Sequence, residues 1–386
     1  MSLAKESPTF TSVLAAVDAL APTIAERAAE IEAARRIPTD LLVDLIDTGC
    51  FRLALPASHG GVGSDLVGAL RVFETLARAD ASVAWIALIG GGGWCDLAGL
   101  PRATFDELYA KGPDTIIAGA FNPTGSATPC DGGYRISGRW SFVSGCEHAD
   151  WVYGHCVEGI VDGAPVLRMA VLSPDQVVIE DTWHVCGMSG TGSHHIRVEE
   201  AFVPRERTFE TLTAEPCLDA PVLRIPLLAL YSTCMASVAV GIARGALDDI
   251  TAIAGEKVPL FAGGPLGTDP VFHLDLASAD AELRAARALL HEGAEIMWVN
   301  AVNGEDLSLE DRARLRAAAV WAARRAVSVV TAAYRSGGGT SIYKDCALQR
   351  RLRDIHTMTQ HFLLRDDTML TAGAILAGRE PEIMLF

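Results

Sequence analysis

The sequence predicts a mainly α-helical protein with a central β-domain, and three observations carry that prediction. The apolar periodicity changes twice along the 386 residues, from helical to strand-like near residue 113 and back near residue 216. No helical segment interrupts the strand-like zone, which disfavours a doubly wound parallel sheet. After about residue 220, four long helical segments are joined by short, Gly-rich connections, as in an up-and-down bundle. The expected domains are an α-helical unit over 1–112, an antiparallel β-domain over 113–215 and a four-helix bundle over 216–386.

In the first zone, alanine, leucine and acids recur at helical spacing through VLAAVDALAPTIAERAAEIEAARR, IPTDLLVDLIDTG and DLVGALRVFETLARADASVAWIALI. Pro38 suits a helix start and Gly49 a helix stop. The second zone offers short strands in DTIIAGAF, YRISGRWSFVSG, WVYGHCV, PVLRMAVLS, DQVVIEDT and HHIRVEEAFVP, each bounded by turn-forming residues. The bundle helices are read around LLALYSTCMASVAVGIARGALDDITAIA, FHLDLASADAELRAARALLHEGAEIMWVNAV and SLEDRARLRAAAVWAARRAVSVVTAAYR, with the last starting near Cys346.

Composition excludes several classes. A formal net charge of −16, from 48 acids and 32 bases, repels nucleic acid and anionic membranes, and the cluster Arg350, Arg351 and Arg353 is too small to reverse that. The nine cysteines form no CxxC pair, which suits free thiols in a reducing cytoplasm. The opening MSLAKESPTF lacks the basic and apolar regions of a secretion leader, and no apolar run long enough for a membrane span is expected.

Common nucleotide and metal signatures are missing. The run Gly90, Gly91, Gly92 and Gly93 lacks GxGxxG spacing and follows a helical pattern, so it is read as a place for close backbone approach or for space beside a ligand. There is no P-loop and no HExxH. His194 and His195 are neighbours on a strand and point apart, while His356 and His361 sit roughly 140° apart on a helix, so no metal site is expected.

On the same expected last helix, Arg350, Asp354 and His361 fall at i, i+4 and i+11, nearly one face. That stripe is either a solvated surface or a functional row, and spacing leaves both open. In GRWSFVSGCEHADW, Ser144 is either a turn residue beside a buried aromatic strand or a site residue.

GRWSFVSGCEHADW resembles the segment in which acyl-CoA dehydrogenases carry a Trp-Ile-Thr core ahead of an Ala-Asp pair, with Ser144 at the threonine and Ala149 and Asp150 at the pair. GMSGTGSHHIRVEEAFVP is similar to that superfamily's stretch ending in Val-Pro, here Val203 and Pro204. GGGTSIYKDCALQRRLRDIHTMTQH resembles its C-terminal region, with Arg353 and Asp354 at the Arg-Asp. The resemblance implies an antiparallel β-barrel or sandwich between the helical parts, a homotetramer, and a flavin between β-domain and bundle. It puts Ser144 at the flavin N5 edge, with Phe121, Asn122 and the turn Gly339, Thr340 and Ser341 near the cofactor.

Within that superfamily the chain is most similar to two-component monooxygenases. It offers His361 where a dehydrogenase often has its glutamate, and no carboxylate around Tyr231 to Cys234. RADASVAW, ending at Trp85, is similar to the hydroxylase phrase whose tryptophan lies near the flavin, although the histidine that often follows it is replaced here by the glycine run. The expectation is FMN or FAD supplied reduced by a separate reductase, dioxygen as co-substrate and hydroxylation of a small aromatic or amine. His361 is then a general base with an ordinary pKa near 6.5, while Arg350 and Asp354 support it. The alternatives are an acyl-CoA dehydrogenase or oxidase with tightly bound FAD, and a non-catalytic flavin- or ligand-binding member.

Overall fold

A computed structural model describes residues 8–379 of the chain. The opening MSLAKES stretch, read above for a leader, lies outside them. The first part is helical: α1 (Phe10–Glu26), α2 (Ala28–Ala34), α3 (Thr39–Asp47), α4 (Leu66–Ala79), α5 (Ala81–Gly92) and α6 (Arg102–Leu108). Local chemistry sets these boundaries. Thr9 and Ser12 form a capping box on α1, and the Asp65 carboxylate accepts from the Gly68 N–H at the start of α4. Pro38 is the N-cap of α3, and Gly49, at φ 81°, turns the chain beyond that helix. Asp80 caps α5 by accepting from the Ser82 and Val83 N–H groups. Helix α5 is buried on almost every face, including Trp85, so its contents belong to the interior.

The strands are β1 (Ile117–Cys130), β2 (Gly133–Trp140), β3 (Trp151–Val161), β4 (Ala164–Leu172), β5 (Val178–Glu180), β6 (His195–Pro204) and β7 (Thr208–Glu210). They form one seven-stranded sheet in the order β5-β6-β2-β1-β3-β4-β7. The all-antiparallel pairing is corrected here: the sheet is mixed, because β1 and β3 are parallel while the other pairs are antiparallel. The reason lies in residues 141–150. Strand β2 pairs with the second half of β1 and ends near its middle, and the segment then crosses to the opposite edge of β1, so β3 starts where β1 starts. Asp150 fixes the crossing, since its carboxylate accepts from the Ile116 N–H at 2.9 Å and its own N–H donates to the Ile116 carbonyl at 2.8 Å.

Trp140 is the centre of the sheet's packing. It is fully buried, donates from Nε1 to the His155 carbonyl at 2.8 Å, and a Cβ at Gly125, Gly138 or Gly154 would fall within 2.6 Å of its ring. Burying so large a side chain contributes roughly 3 kcal/mol.

The last part holds α7 (Leu227–Glu256), α8 (Pro270–Asn303), α9 (Leu309–Ser336), α10 (Ala347–Met358) and α11 (Asp366–Leu376). Helix α7 packs against α4, α8, α9 and α10 and is the axis of the bundle. It is apolar and long enough to pass as a membrane span, contrary to the expectation that no such run exists, but 83% of its most apolar stretch is buried inside the protein. The expected single last helix is also corrected. Helix α10 stops at Met358, and His361 is the N-cap of a short 3-10 turn before α11, its side chain accepting from the Leu363 N–H. The one-face stripe of Arg350, Asp354 and His361 therefore does not exist.

Candidate functional site

The break after α10 brings His361 against α5, where its ring centroid lies 5.7 Å from that of Trp85 in an edge-to-face arrangement. The Trp85 Nε1–H in turn donates to Ser144 Oγ at 3.0 Å. One helix from the first zone, the crossing segment of the sheet and the end of the bundle thus meet at three side chains.

Ser144 is not on a strand. Strand β2 ends at Trp140, and Phe142 takes φ 64°, which ends extended structure and turns the chain toward α5. Phe142 stays 69% exposed, beside Trp183 at 6.1 Å and His195 at 6.3 Å. Behind Ser144 runs a row of hydroxyls: Ser144 Oγ to Ser193 Oγ at 2.8 Å, Ser193 Oγ to Thr191 Oγ1 at 2.7 Å, and Thr191 Oγ1 donating to the Met188 carbonyl at 2.8 Å. A carbonyl only accepts, so the row has one direction: Ser193 donates to Thr191, and Ser144 donates to Ser193. With its proton committed and one lone pair taken by Trp85, Ser144 keeps one acceptor position.

The same loop is anchored to the bundle by Asp354, which accepts from the Met188 N–H at 2.6 Å. Arg353 adds a second tie, pairing with Glu32 and donating to the Cys186 carbonyl. The contact is close: a Cβ at Gly187 would lie 2.3 Å from the Arg353 carbonyl oxygen. Burial pushes the Asp354 carboxyl up to about 7, helped by the nearby carboxylate of Asp80 and opposed by the Met188 N–H, Arg350 and Arg353. Burial outweighs the basic neighbours. Asp354 and Arg353 thus act on the loop that carries Thr191 and Ser193, Arg350 acts only through its charge on Asp354, and neither Arg350 nor Asp354 stands in a row with His361.

His361 is shifted too. Burial lowers its pKa to about 4, so the ordinary value near 6.5 expected from sequence does not hold and the ring is neutral at pH 7. Its Nδ1 accepts from the Leu363 N–H at 3.4 Å, which leaves the ring proton on Nε2.

The remaining predicted residues lie elsewhere. Phe121 and Asn122 fall in an irregularity of the β1–β3 register between Ala120 and Gly125. Phe121 packs near Tyr153, His155 and Tyr231, while Asn122 is exposed. Gly339, Thr340 and Ser341 form a short 3-10 segment between α9 and α10, where the Ser341 hydroxyl donates to the Tyr334 carbonyl at 2.8 Å. No contact described here joins that segment to Trp85, Ser144 or His361 within one chain. In the glycine run, Gly91 allows close approach, since its Cβ would lie 2.7 Å from the Phe51 carbonyl oxygen, whereas Gly92 has only Tyr231 within reach, at 3.8 Å.

Sequence reading missed the hydroxyl row and a second polar group. Asp96, just beyond α5, is buried, and its Oδ2 accepts from the hydroxyls of Tyr153 at 2.7 Å and Tyr231 at 2.9 Å. Burial raises this carboxyl to about 7 against those two hydrogen bonds. The available signal was an acid inside the apolar stretch GGGGWCDLAGL, since an unpaired acid is rarely buried.

A helical part, a mixed sheet and a bundle meeting at an indole, a hydroxyl and an imidazole define an acyl-CoA dehydrogenase type of architecture. The chain belongs to the acyl-CoA dehydrogenase family: the N-terminal domain profile matches residues 13–98 and the C-terminal domain profile residues 233–366. It is 33% identical over 368 residues to an indole-3-acetate monooxygenase of Pseudomonas putida, covering 95% of this chain and 94% of that protein. It is 35% identical over 378 residues to the flavin-dependent monooxygenase oxygenase subunit HsaA of Rhodococcus jostii strain RHA1, covering 95% and 94%. Among solved structures, 3-HSA hydroxylase from Rhodococcus sp. RHA1 matches with a TM-score of 0.90 at 31% identity, over 97% of this chain and 99% of that one. The residues present fit a flavin: Ser144 keeps an acceptor position for a ring N–H, and the exposed ring of Phe142, two residues away, offers aromatic surface.

Proposed function

We propose that this chain is the oxygenase component of a two-component monooxygenase that hydroxylates a small aromatic substrate with dioxygen. Reduced FMN or FAD, delivered by a separate reductase, supplies the electrons that activate oxygen. The observation that carries the reading is the convergence of Trp85, Ser144 and His361, with an imidazole and no carboxylate at that point. Ser144 accepts from the N–H that a reduced flavin bears at N5 and an oxidised one lacks. His361, neutral and with its proton on Nε2, donates to an oxygen at the reacting end and stabilises negative charge that develops there. Trp85 and the apolar wall of α5 exclude water.

A homotetramer would let Gly339, Thr340 and Ser341 of one copy reach the cofactor of a neighbouring copy. Leu289, Ile296 and Val299 fall within about 80° of one another around α8 and form an exposed apolar stripe that such an assembly covers. The nine free cysteines suit a reducing cytoplasm.

The test is to mix the protein with chemically reduced FAD or FMN without oxygen, add labelled dioxygen and an aromatic panel, and follow label into product. Label in a hydroxylated product is expected. Tightly held oxidised FAD that bleaches with an acyl-CoA, with no labelled product, overturns the proposal in favour of a dehydrogenase.

A further inference from the structure

Helix α5 presents a second polar station. Gly92 lies seven positions after Trp85, so it sits on the same face of the helix, two turns and about 10 Å further along. There the Tyr231 hydroxyl lies over it: an added Cβ at Gly92 would be 3.8 Å from that oxygen. Both residues line a cleft of about 50 Å³, partly open to solvent, whose other walls are almost entirely apolar, among them Leu53, Phe73, Leu88 and Trp298. The Tyr231 hydroxyl is a rare polar feature of this wall, and its direction is fixed. Its proton goes to Asp96 Oδ2 at 2.9 Å, with the Gly92 carbonyl a second acceptor at 3.3 Å, so its oxygen can only accept from anything that enters the cleft.

Asp96 satisfies two buried tyrosine hydroxyls with one oxygen and leaves the other unused. It has no cationic partner among the described interactions, its Oδ1 has no hydrogen-bond partner, and the two tyrosines converge on the other oxygen. A buried carboxyl with half of its acceptors unused lowers stability relative to an apolar residue. Groups of that kind collect at functional sites.

We propose that Tyr231, oriented by Asp96 and Tyr153, is the specificity-determining contact for the substrate's far end, selecting aromatic molecules that carry an O–H or N–H donor. The apolar cleft receives the donor-bearing edge of the ring, and the Tyr231 oxygen accepts from the donor. Tyr231 touches the substrate, while Asp96 and Tyr153 are positioning residues. This rests on the monooxygenase reading for the reacting end near Trp85 and His361, but the recognition itself is a binding property and is measurable without turnover.

The experiment uses the full-length protein with indole and 1-methylindole as probes, in which a methyl group replaces the N–H donor. Dissociation constants are measured by equilibrium dialysis with and without reduced flavin, and reduced-flavin affinity is measured separately. Wild-type protein is expected to favour indole by about tenfold, the worth of one hydrogen bond. Tyr231→Phe brings the ratio to about one with 1-methylindole binding unchanged, and Asp96→Asn reduces it while leaving some discrimination. Gly92→Ala, whose new methyl has room beside Tyr231, narrows access and weakens indole binding without removing the hydroxyl. Tyr231→Phe protein that folds, binds reduced flavin and still favours indole tenfold overturns the proposal, as does a wild type that binds both probes equally. A wild type that discriminates through Tyr231 but binds no reduced flavin supports it while removing the monooxygenase reading.

Discussion

The indole of Trp85 donates from Nε1 to the hydroxyl of Ser144 at 3.0 Å, joining two residues that stand 59 positions apart. The contact fixes the side of Ser144 from which a hydrogen bond arrives and, with Ser193 behind it, leaves the hydroxyl an acceptor. Ser144→Ala removes that acceptor while Ser193 keeps its bond to Thr191. Reduced-flavin affinity is expected to fall about tenfold in an anaerobic titration, with little change in oxidised-flavin affinity.

His361→Asn keeps a polar side chain at the N-cap but removes the imidazole. Product formation is expected to drop by about a hundredfold or more, the usual worth of one donor aimed at developing negative charge, while reduced flavin still binds. Equal losses of flavin binding and turnover would show the residue to be structural instead.

The pH dependence of stability separates two opposing groups. Asp354, raised to about 7 from an ordinary carboxyl, keeps its proton in the folded state where the unfolded chain has lost it. Its contribution is full below about pH 4 and is lost as pH rises to about 7, at roughly 1 kcal/mol per unit. Asp354→Asn, which can still accept from Met188, is therefore expected to gain on wild type across that window and to hold a constant advantage above it. His361, lowered to about 4, has the opposite sign: its contribution is present above pH 6.5 and is lost as pH falls toward 4. Thermal melts of wild type, Asp354→Asn and His361→Asn from pH 4 to 8 read both slopes.

Gly187 lies against α10 so closely that a methyl group would fall 2.3 Å from the Arg353 carbonyl oxygen. Gly187→Ala must push the loop off the bundle, and with it Met188, Thr191 and Ser193. A loss of about 2 kcal/mol or more is expected in denaturant unfolding, together with weaker reduced-flavin binding.

The α8 stripe gives a test of assembly. Ile296 is 42% exposed and Val299 49%, so Ile296→Glu places a charge on surface that the proposed tetramer would bury. Sedimentation is expected to show smaller species with the helical content retained. An unchanged assembly places the interface on another face.

Local rules made the element order legible. Periodicity located the three zones, and caps such as Pro38 and Gly49 lie where residue type demands them. The residues Trp85, Ser144 and His361 were reached through resemblance to a family and not from spacing. Spacing alone misled at the last helix, because a stripe computed on continuous helical geometry cannot foresee that α10 ends at Met358 and that His361 turns away.

The sequence by itself determined the alternation of helix, sheet and helix, since apolar period and turn chemistry act over a few residues. Tertiary structure decided what depends on distant partners. The parallel β1–β3 pair follows from a crossing segment anchored by Asp150, the pKa values of His361 and Asp354 follow from burial, and Asp96 meets Tyr153 and Tyr231 across gaps of 57 and 135 positions. Desolvation and hydrogen bonding are properties of proximity in space, and proximity between remote segments is set only when the whole core packs.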